Sequence, residues 1–489
     1  MLDELAFDNS YARLPESFYA RLPPTPVAAP RLLRLNAALA RTLGLDPDAL
    51  AAPEGVAMLA GNLVPARAEP LAMAYAGHQF GNWVPRLGDG RALLLGELVG
   101  VDGIRRDLQL KGAGRTPFSR AGDGRAAVGP ALREYIVSEA MAALGVPTAR
   151  ALAVVATGEA VLRETRQHGA VLARVARSHV RIGTFQYFRG TGDVDGLRAL
   201  ADYVIARHYP EASSYRALLD AVIAATARLV AAWQMVGFIH GVMNTDNMSI
   251  AGETIDYGPC AFMDSYDPAT VYSSIDRGGR YAYGNQPAIA HWNLTRLAEA
   301  ILPLLGETPD AALAEARAAL DAFAPAFGAA WLAGMRRKLG LEIEAPGDVD
   351  LVQSLLALMA GNAADFTLTF RRLADAAAFG AEQDEPVRAL FIDPTAFDAW
   401  AVQWRARLGE EGGRSEARAQ AMRAVNPAFI ARNHRVQAAL AAVENGFDLA
   451  PLEELLGVLA RPYEDQPGME AYAAPPRPEE VVRATFCGT

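Results

Sequence analysis

The stretch His240-Gly-Val-Met-Asn-Thr-Asp-Asn-Met-Ser-Ile-Ala-Gly-Glu-Thr-Ile-Asp256, followed by Tyr257-Gly258-Pro259, decides how the rest of the chain is read. Asp246 and Asn247 stand side by side in a turn-forming cluster. A short apolar hairpin over residues 248–255, with Ala251-Gly-Glu253 at its tip, is predicted to carry the chain to Asp256. Three oxygen donors then converge. Hard donors this sparse suit Mg²⁺ or Mn²⁺, which keeps several waters and takes its other ligands from nucleotide phosphates. The alternative is a plain hairpin with a solvated Asp and Asn, since short motifs match by chance.

Protein kinases write this region as His-Arg-Asp, four residues, Asn, and later Asp-Phe-Gly, with the first Asp as base and the other two polar residues on metal. Laid over that pattern, His240 matches the His, Asn247 the metal Asn, and Asp256-Tyr257-Gly258 the Asp-Phe-Gly. The base position is Val242, which cannot take a proton. Asp246 is the nearest carboxylate, so a site that keeps the metal residues and moves its base is expected to do chemistry other than ordinary γ-phosphoryl transfer.

The chain has 489 residues, enough for two to four structural units. Its 51% hydrophobic and 21% charged content is that of a soluble globular protein. The acidic N-terminus lacks the basic start and apolar run of a signal peptide, and the most apolar window, residues 221–239, is interrupted by Arg228 and reads as a core helix, with no membrane role. A net charge of −10 argues against nucleic-acid partners. Two cysteines exclude a disulfide scaffold and suit the cytoplasm. Only two of the 46 basic residues are lysines, Lys111 and Lys338. With Arg meeting nearly every need for positive charge, a Lys at 111 points to a compact ammonium placed on phosphate.

Residues 1–70 read as a Pro-rich arm and a helix over 31–43. Residues 71–185 form a sheet-and-helix unit, 186–345 a mainly helical unit carrying the metal loop, and 346–489 a helical extension and tail. In the second unit, Asp107-Leu-Gln-Leu-Lys111 alternates as a strand, with Lys111 on the face of Asp107 and Gln109. A Gly-rich basic loop follows, residues 112–125, of the kind whose N–H groups approach phosphates. Glu134 lies on the early turns of a helix begun at Gly129-Pro130, and strands are predicted at 151–156, 160–166 and 170–176, the last carrying Arg174. Lys111 and Glu134 are the candidate ion pair of a kinase-like small lobe. His78, among aromatics, is read as packed or hydrogen-bonding. Residues 264–286, rich in Tyr, Ser and Gly, read as an ordered lid or substrate loop. Further helices are expected at 197–209, 217–236, 294–305, 310–341 with a break at Pro325, 348–377, 395–407, 428–443 and 450–459.

The chain strongly resembles the selenoprotein O (SelO, or YdiU) family of pseudokinases over nearly its whole length. The matching segments are Tyr75-Ala-Gly-His-Gln-Phe-Gly81, Leu87-Gly-Asp-Gly-Arg91, Leu110-Lys-Gly-Ala-Gly-Arg-Thr-Pro-Phe-Ser-Arg120, Gly122-Asp-Gly-Arg125, Leu132-Arg-Glu-Tyr135, Arg174-Val-Ala-Arg-Ser-His-Val-Arg181 and His240 to Met248. The resemblance implies an α+β, protein-kinase-like two-lobed fold, with a small mixed N-lobe, a large helical C-lobe and a helical C-terminal extension. It implies a monomeric protein adenylyltransferase that binds ATP in a flipped orientation and passes AMP to Ser, Thr or Tyr hydroxyls of proteins; transfer of UMP with Mn²⁺ is open. It further implies nucleotide contacts from Gly88, Gly90, Arg91, Lys111, Asp123, Gly124, Arg174 and Arg181, metal on Asn247 and Asp256, and Asp246 as base. An ordinary kinase and a catalytically dead ATP-binding scaffold are the rival readings. The family places its redox-active residue at the position of Cys487. Cys260 and Cys487 are therefore either two ordinary thiols or a redox switch that pins the tail to the catalytic loop.

Overall fold

The computed structural model describes residues 5–412 and 415–486. In chain order the strands are β1 (Tyr19–Arg21), β2 (Arg31–Leu35), β3 (Leu71–Met73), β4 (Gly77–Gln79), β5 (Asn82–Val84), β6 (Ala92–Val99), β7 (Arg105–Lys111), β8 (Ala126–Ala127), β9 (Arg150–Leu162), β10 (Arg166–Ala176), β11 (Phe238–Ile239) and β12 (Ala261–Phe262). Eight make one antiparallel sheet, ordered β1-β3-β6-β7-β10-β9-β2 with β8 on β10, while β4–β5 and β11–β12 are separate ribbons. Central β6, Ala-Leu-Leu-Leu-Gly-Glu-Leu-Val, is buried on both faces, as a strand covered on both sides must be.

On one face, Leu93, Leu95, Leu108 and Leu110 pack with the arm helices α1 (Ala37–Thr42), α2 (Pro47–Ala51) and α3 (Pro53–Ala60). On the other, Leu94, Val154 and Leu172 pack with Leu132 and Ile136 of α4 (Val128–Ala143). The helical part follows: α5 (Ile182–Thr191), α6 (Val194–His208), α7 (Tyr215–Met235), α8 (Gln286–Leu305), α9 (Pro309–Leu320) and α10 (Phe323–Lys338). It continues with α11 (Asp348–Gly361), α12 (Phe366–Phe379), α13 (Glu385–Arg388), α14 (Pro394–Glu410), α15 (Glu416–Arg423), α16 (Asn433–Gly446) and α17 (Ala450–Leu459). The whole is a mixed α/β architecture. α7 carries the apolar window of the sequence and is a core helix, with Leu219, Val230 and Trp233 buried.

Several expectations change. Residues 31–35, expected at the start of a helix, are strand β2, paired with β9, and the helix begins only at Ala37, capped by Asn36. The strands expected at 151–156 and 160–166 merge into one β9 that ends at Leu162, with Arg166 already opening β10; Gly158 takes φ +74° and the register against β10 shifts there. The hairpin over 248–255 reduces to a single bridge between Met248 and Thr254. The break in the long helix falls at Asp321–Ala322, and Pro325 sits in the first turn of α10, where its missing N–H costs nothing. Residues 348–377 divide into α11 and α12, and neither α5 nor α15 was foreseen.

The C-terminal helices close on the rest through charge. Arg432 is fully buried, and its Nη1 lies 2.6 Å from both Asp264 and Asp365. Removing one partner of a buried pair strands the other charges away from water. Arg432→Ala is expected to cost about 3–5 kcal/mol in denaturant melts. Arg461→Ala, which breaks a pair exposed on both sides, should cost under about 0.5 kcal/mol.

Candidate active site

Cross-strand register brings the first group together. Lys111 ends β7, and Arg174 on β10 stands opposite Gln109, so all three side chains project to the α4 side of the sheet. Glu134, in the second turn of α4, meets them: Lys111 Nζ is 2.5 Å from Oε2 and Arg174 Nη1 is 3.1 Å from Oε1. Gln109 Oε1 accepts from Arg174 Nε at 2.6 Å. Asp256 closes the cluster. Its Oδ1 is 2.5 Å from Arg174 Nη1 and 3.9 Å from Lys111, and its Oδ2 is 2.6 Å from Arg181 Nη1. Burial alone would raise the Asp256 pKa, but Arg174, Arg181 and Lys111 outweigh it and hold the carboxylate well below its usual range. Burial also works against the Arg174 charge, and there Asp256 and Glu134 prevail. Asp256 takes φ +59°, a left-handed backbone that Asp tolerates better than most side chains.

The loop before Asp256 is held from within. His240 is buried; its Nε2 donates to the Ile255 carbonyl at 3.0 Å, and burial lowers its pKa, which keeps the ring neutral. Asn247 donates from Nδ2 to the Val242 carbonyl at 3.0 Å, leaving its amide oxygen for another partner. Val242 is apolar and buried at the position a kinase gives its base. Asp246, in the 3₁₀ turn Thr245–Asn247, has Gln79 Nε2 at 3.3 Å from Oδ2, and its Oδ1 is buried with no partner among the described residues. Burial pushes its pKa up to about 6.

The β4–β5 ribbon lies on this loop. His78 N donates to Thr245 Oγ1 at 2.7 Å and Phe80 N to Asn244 Oδ1 at 2.9 Å. A Cβ at Gly77 would sit 2.4 Å from Asp246 Oδ1, so only glycine permits the approach. His78 has a packed, hydrogen-bonded place, as expected: Thr245 donates to Gln186, and Gln186 Nε2 donates to His78 Nδ1 at 2.9 Å.

These groups face one cleft of about 1200 Å³. Gly88, Gly90, Arg91, Lys111, Asp123, Gly124, Glu134, Arg174, Arg181, Asp246, Asn247 and Asp256 all line it. Asp123 is at the rim, paired with Arg163 at 2.8 Å, and burial of its side chain is slight. Gly124 is packed on the Gly114 backbone with φ +72°, which folds the Gly-rich loop back on itself. Sequence reasoning does not single out Gln79 or Arg163, because each meets its partner only across a long stretch of chain. Among the described residues no three His, Cys, Asp or Glu side chains converge as a metal cage. The Asn247 oxygen and ionised Asp256 nevertheless fit a hard cation that takes further ligands from phosphate. Cys260 is buried, and burial pushes its thiol up to about 12, so it carries no thiolate. Cys487, read either as a second ordinary thiol or as its partner in a redox switch, lies outside the described residues.

Comparison with known proteins identifies the family. A sequence model of the family described as Protein adenylyltransferase SelO matches residues 1–460. A protein nucleotidyltransferase YdiU of Methylorubrum extorquens (strain PA1) is 65% identical over 492 residues, covering 99% of each chain. Relatives of the same name from Bradyrhizobium sp. (strain BTAi1 / ATCC BAA-1182) and Rhodopseudomonas palustris (strain BisB18) are 63% and 62% identical, again over 99% of each chain. The protein is an enzyme of the nucleotidyltransferase class. It belongs to the SelO (YdiU) family.

The buried Asp246 yields a stability prediction. Between its ordinary value of 3.8 and about 6 the folded chain keeps a proton that the unfolded chain has released, so stability falls as pH rises through that window. Asp246→Asn removes this cost and should raise stability at pH 8 by about 2 kcal/mol in denaturant melts, with no gain at pH 3.5.

Proposed function

We propose that the enzyme transfers AMP from ATP to Ser, Thr or Tyr hydroxyls of proteins, on a kinase-like fold whose sheet and helical parts are the two lobes. The observation that carries this reading is the displaced base: Val242 is apolar where a kinase needs a carboxylate, while the Asp246 carboxylate lines the cleft. A group with a pKa of about 6 is ionised at neutral pH yet basic enough to accept a proton.

In the step itself, the substrate hydroxyl gives its proton to Asp246 as its oxygen attacks the α-phosphorus. The bond from that phosphorus to the bridging oxygen breaks, and pyrophosphate leaves with the bonding pair. Lys111, Arg174 and Arg181 stand where they can neutralise charge on the phosphate oxygens. Glu134 and Gln109 hold Lys111 and Arg174 in place. Asn247 and Asp256 would hold a Mg²⁺ or Mn²⁺ ion, which when bound adds positive charge beside the phosphates.

Incubation of the chain and candidate proteins with ATP labelled at the α or the γ position tests the reading. Label from the α position on protein is expected; γ-label would indicate a kinase, and neither a scaffold. A parallel arm with α-labelled UTP measures UMP transfer. The rate should rise with pH through about 6 and level off, since Asp246 must be ionised to act. Asp256→Ala should abolish transfer and metal-dependent ATP binding. Lys111→Arg should lower kcat/KM by about 100-fold despite keeping the charge, because a planar fork replaces a point ammonium in the Glu134 contact.

A further inference from the structure

A second group of side chains lies beside Asp246 but outside the nucleotide cleft. Trp83, from β5, is 42% exposed and packs on the His78 ring at 5.0 Å, and Trp292 of α8 meets the same ring at 5.4 Å. Two guanidiniums lie over Trp292, Arg280 at 4.7 Å and Arg296 at 5.1 Å from its centroid. We propose that this shelf docks acidic side chains flanking the acceptor hydroxyl of a protein substrate. The proposal rests on the transfer reading above and adds to it the kind of protein segment chosen.

The shelf is fixed relative to Asp246. The β4–β5 ribbon is bonded to the catalytic loop through His78 and Phe80, and Gln79 reaches Asp246 itself. From the other side, Tyr281 donates to Asn244 Oδ1 at 2.7 Å, and its ring meets Phe80 at 5.1 Å. Arg280 directly precedes Tyr281, and the tip of the ribbon is close to it: a Cβ at Gly81 would lie 3.8 Å from Arg280 Cζ.

The charge on Arg280 is left uncompensated. Asp276 would be the natural partner, yet its two oxygens accept from the backbone N–H groups of Arg280 and Tyr281, at 2.9 and 2.7 Å. Among the described residues Arg280 makes no ion pair, and its Nε has no hydrogen-bond partner. Arg296 is only half engaged, with half-exposed Glu299 at 2.7 Å. An exposed cation on an aromatic face gains about 0.5–1 kcal/mol, a weak structural reason for placing two on one ring. The Nε of each guanidinium is buried without a partner among the described residues, so the terminal nitrogens of the planar fork are the donors left for a carboxylate. Nucleotide phosphate is the wrong occupant, because Arg280 and Arg296 are absent from the cleft lining, whereas Gln79 and Phe80 beside them belong to it. In a chain of net charge −10, a cationic rim beside the acceptor site favours an acidic partner.

The test uses the full chain, α-labelled ATP and peptides carrying one acceptor hydroxyl flanked by Glu, Gln or Lys. The Glu-flanked peptide should be labelled with kcat/KM at least about tenfold above the Lys-flanked one, a gap that shrinks as salt rises. Arg280→Glu should raise KM for the Glu-flanked peptide about tenfold with KM for ATP unchanged, and Arg280→Lys should restore most of the preference. Equal labelling of the three peptides by the unaltered chain would overturn the proposal, as would a preference that survives Arg280→Glu. Label on no peptide and no protein would overturn the transfer reading, and the docking proposal with it; label without acid preference would overturn docking alone. Because the unaltered chain's own preference and salt dependence are read, misfolding of a variant leaves the proposal testable.

Discussion

Five charges sharing one buried space constrain everything else in this structure. Lys111, Arg174 and Arg181 face Glu134 and Asp256, and every member is mostly removed from water. Each charge is tolerable there only because the others are present, since desolvating an unpaired ion costs several kcal/mol. The five come from β7, β10, α4, the N-terminus of α5 and the loop after His240. Sheet, helix and the loop after His240 therefore cannot drift apart without exposing an uncompensated charge.

The position of α4 follows from the same constraint and is reinforced from outside. Arg133, one residue before Glu134, donates to the Cys260 carbonyl at 2.6 Å and to Asn433 at 2.8 Å. Tyr463 donates to the Leu144 carbonyl just past the end of α4. The C-terminal helices thus fasten α4 to the segment after Asp256, and the Lys111–Glu134 contact is built into the fold.

Much of the site was legible because its parts are locally patterned. Alternation placed Gln109 and Lys111 on one strand face, the Gly-Pro start placed Glu134 on an early helical turn, and the spacing from His240 placed Asn247 and Asp256 together. The scarcity of lysine singled out Lys111. What was hidden depended on distant partners. Arg31-Leu-Leu-Arg-Leu35 has helix-forming residues, yet pairing with β9 makes it a strand, a tertiary override of propensity. Gly158 reads as a turn but is absorbed as an irregularity inside β9. The Gln79–Asp246 contact joins residues 167 apart, and nothing in either segment announces the other. The tight approach that it needs was encoded at Gly77, one of many glycines whose role only the fold makes plain.

The central claim is that the cleft presents the α-phosphorus to Asp246. A crystal structure of the enzyme with Mn²⁺ and the non-hydrolysable α,β-methylene analogue of ATP measures this directly. The account predicts the α-phosphorus nearest the Asp246 carboxylate, with the outer phosphates on Lys111 and the basic, Gly-rich wall of the cleft. A γ-phosphorus lying nearest Asp246, with the α-phosphate remote from it, would contradict the account.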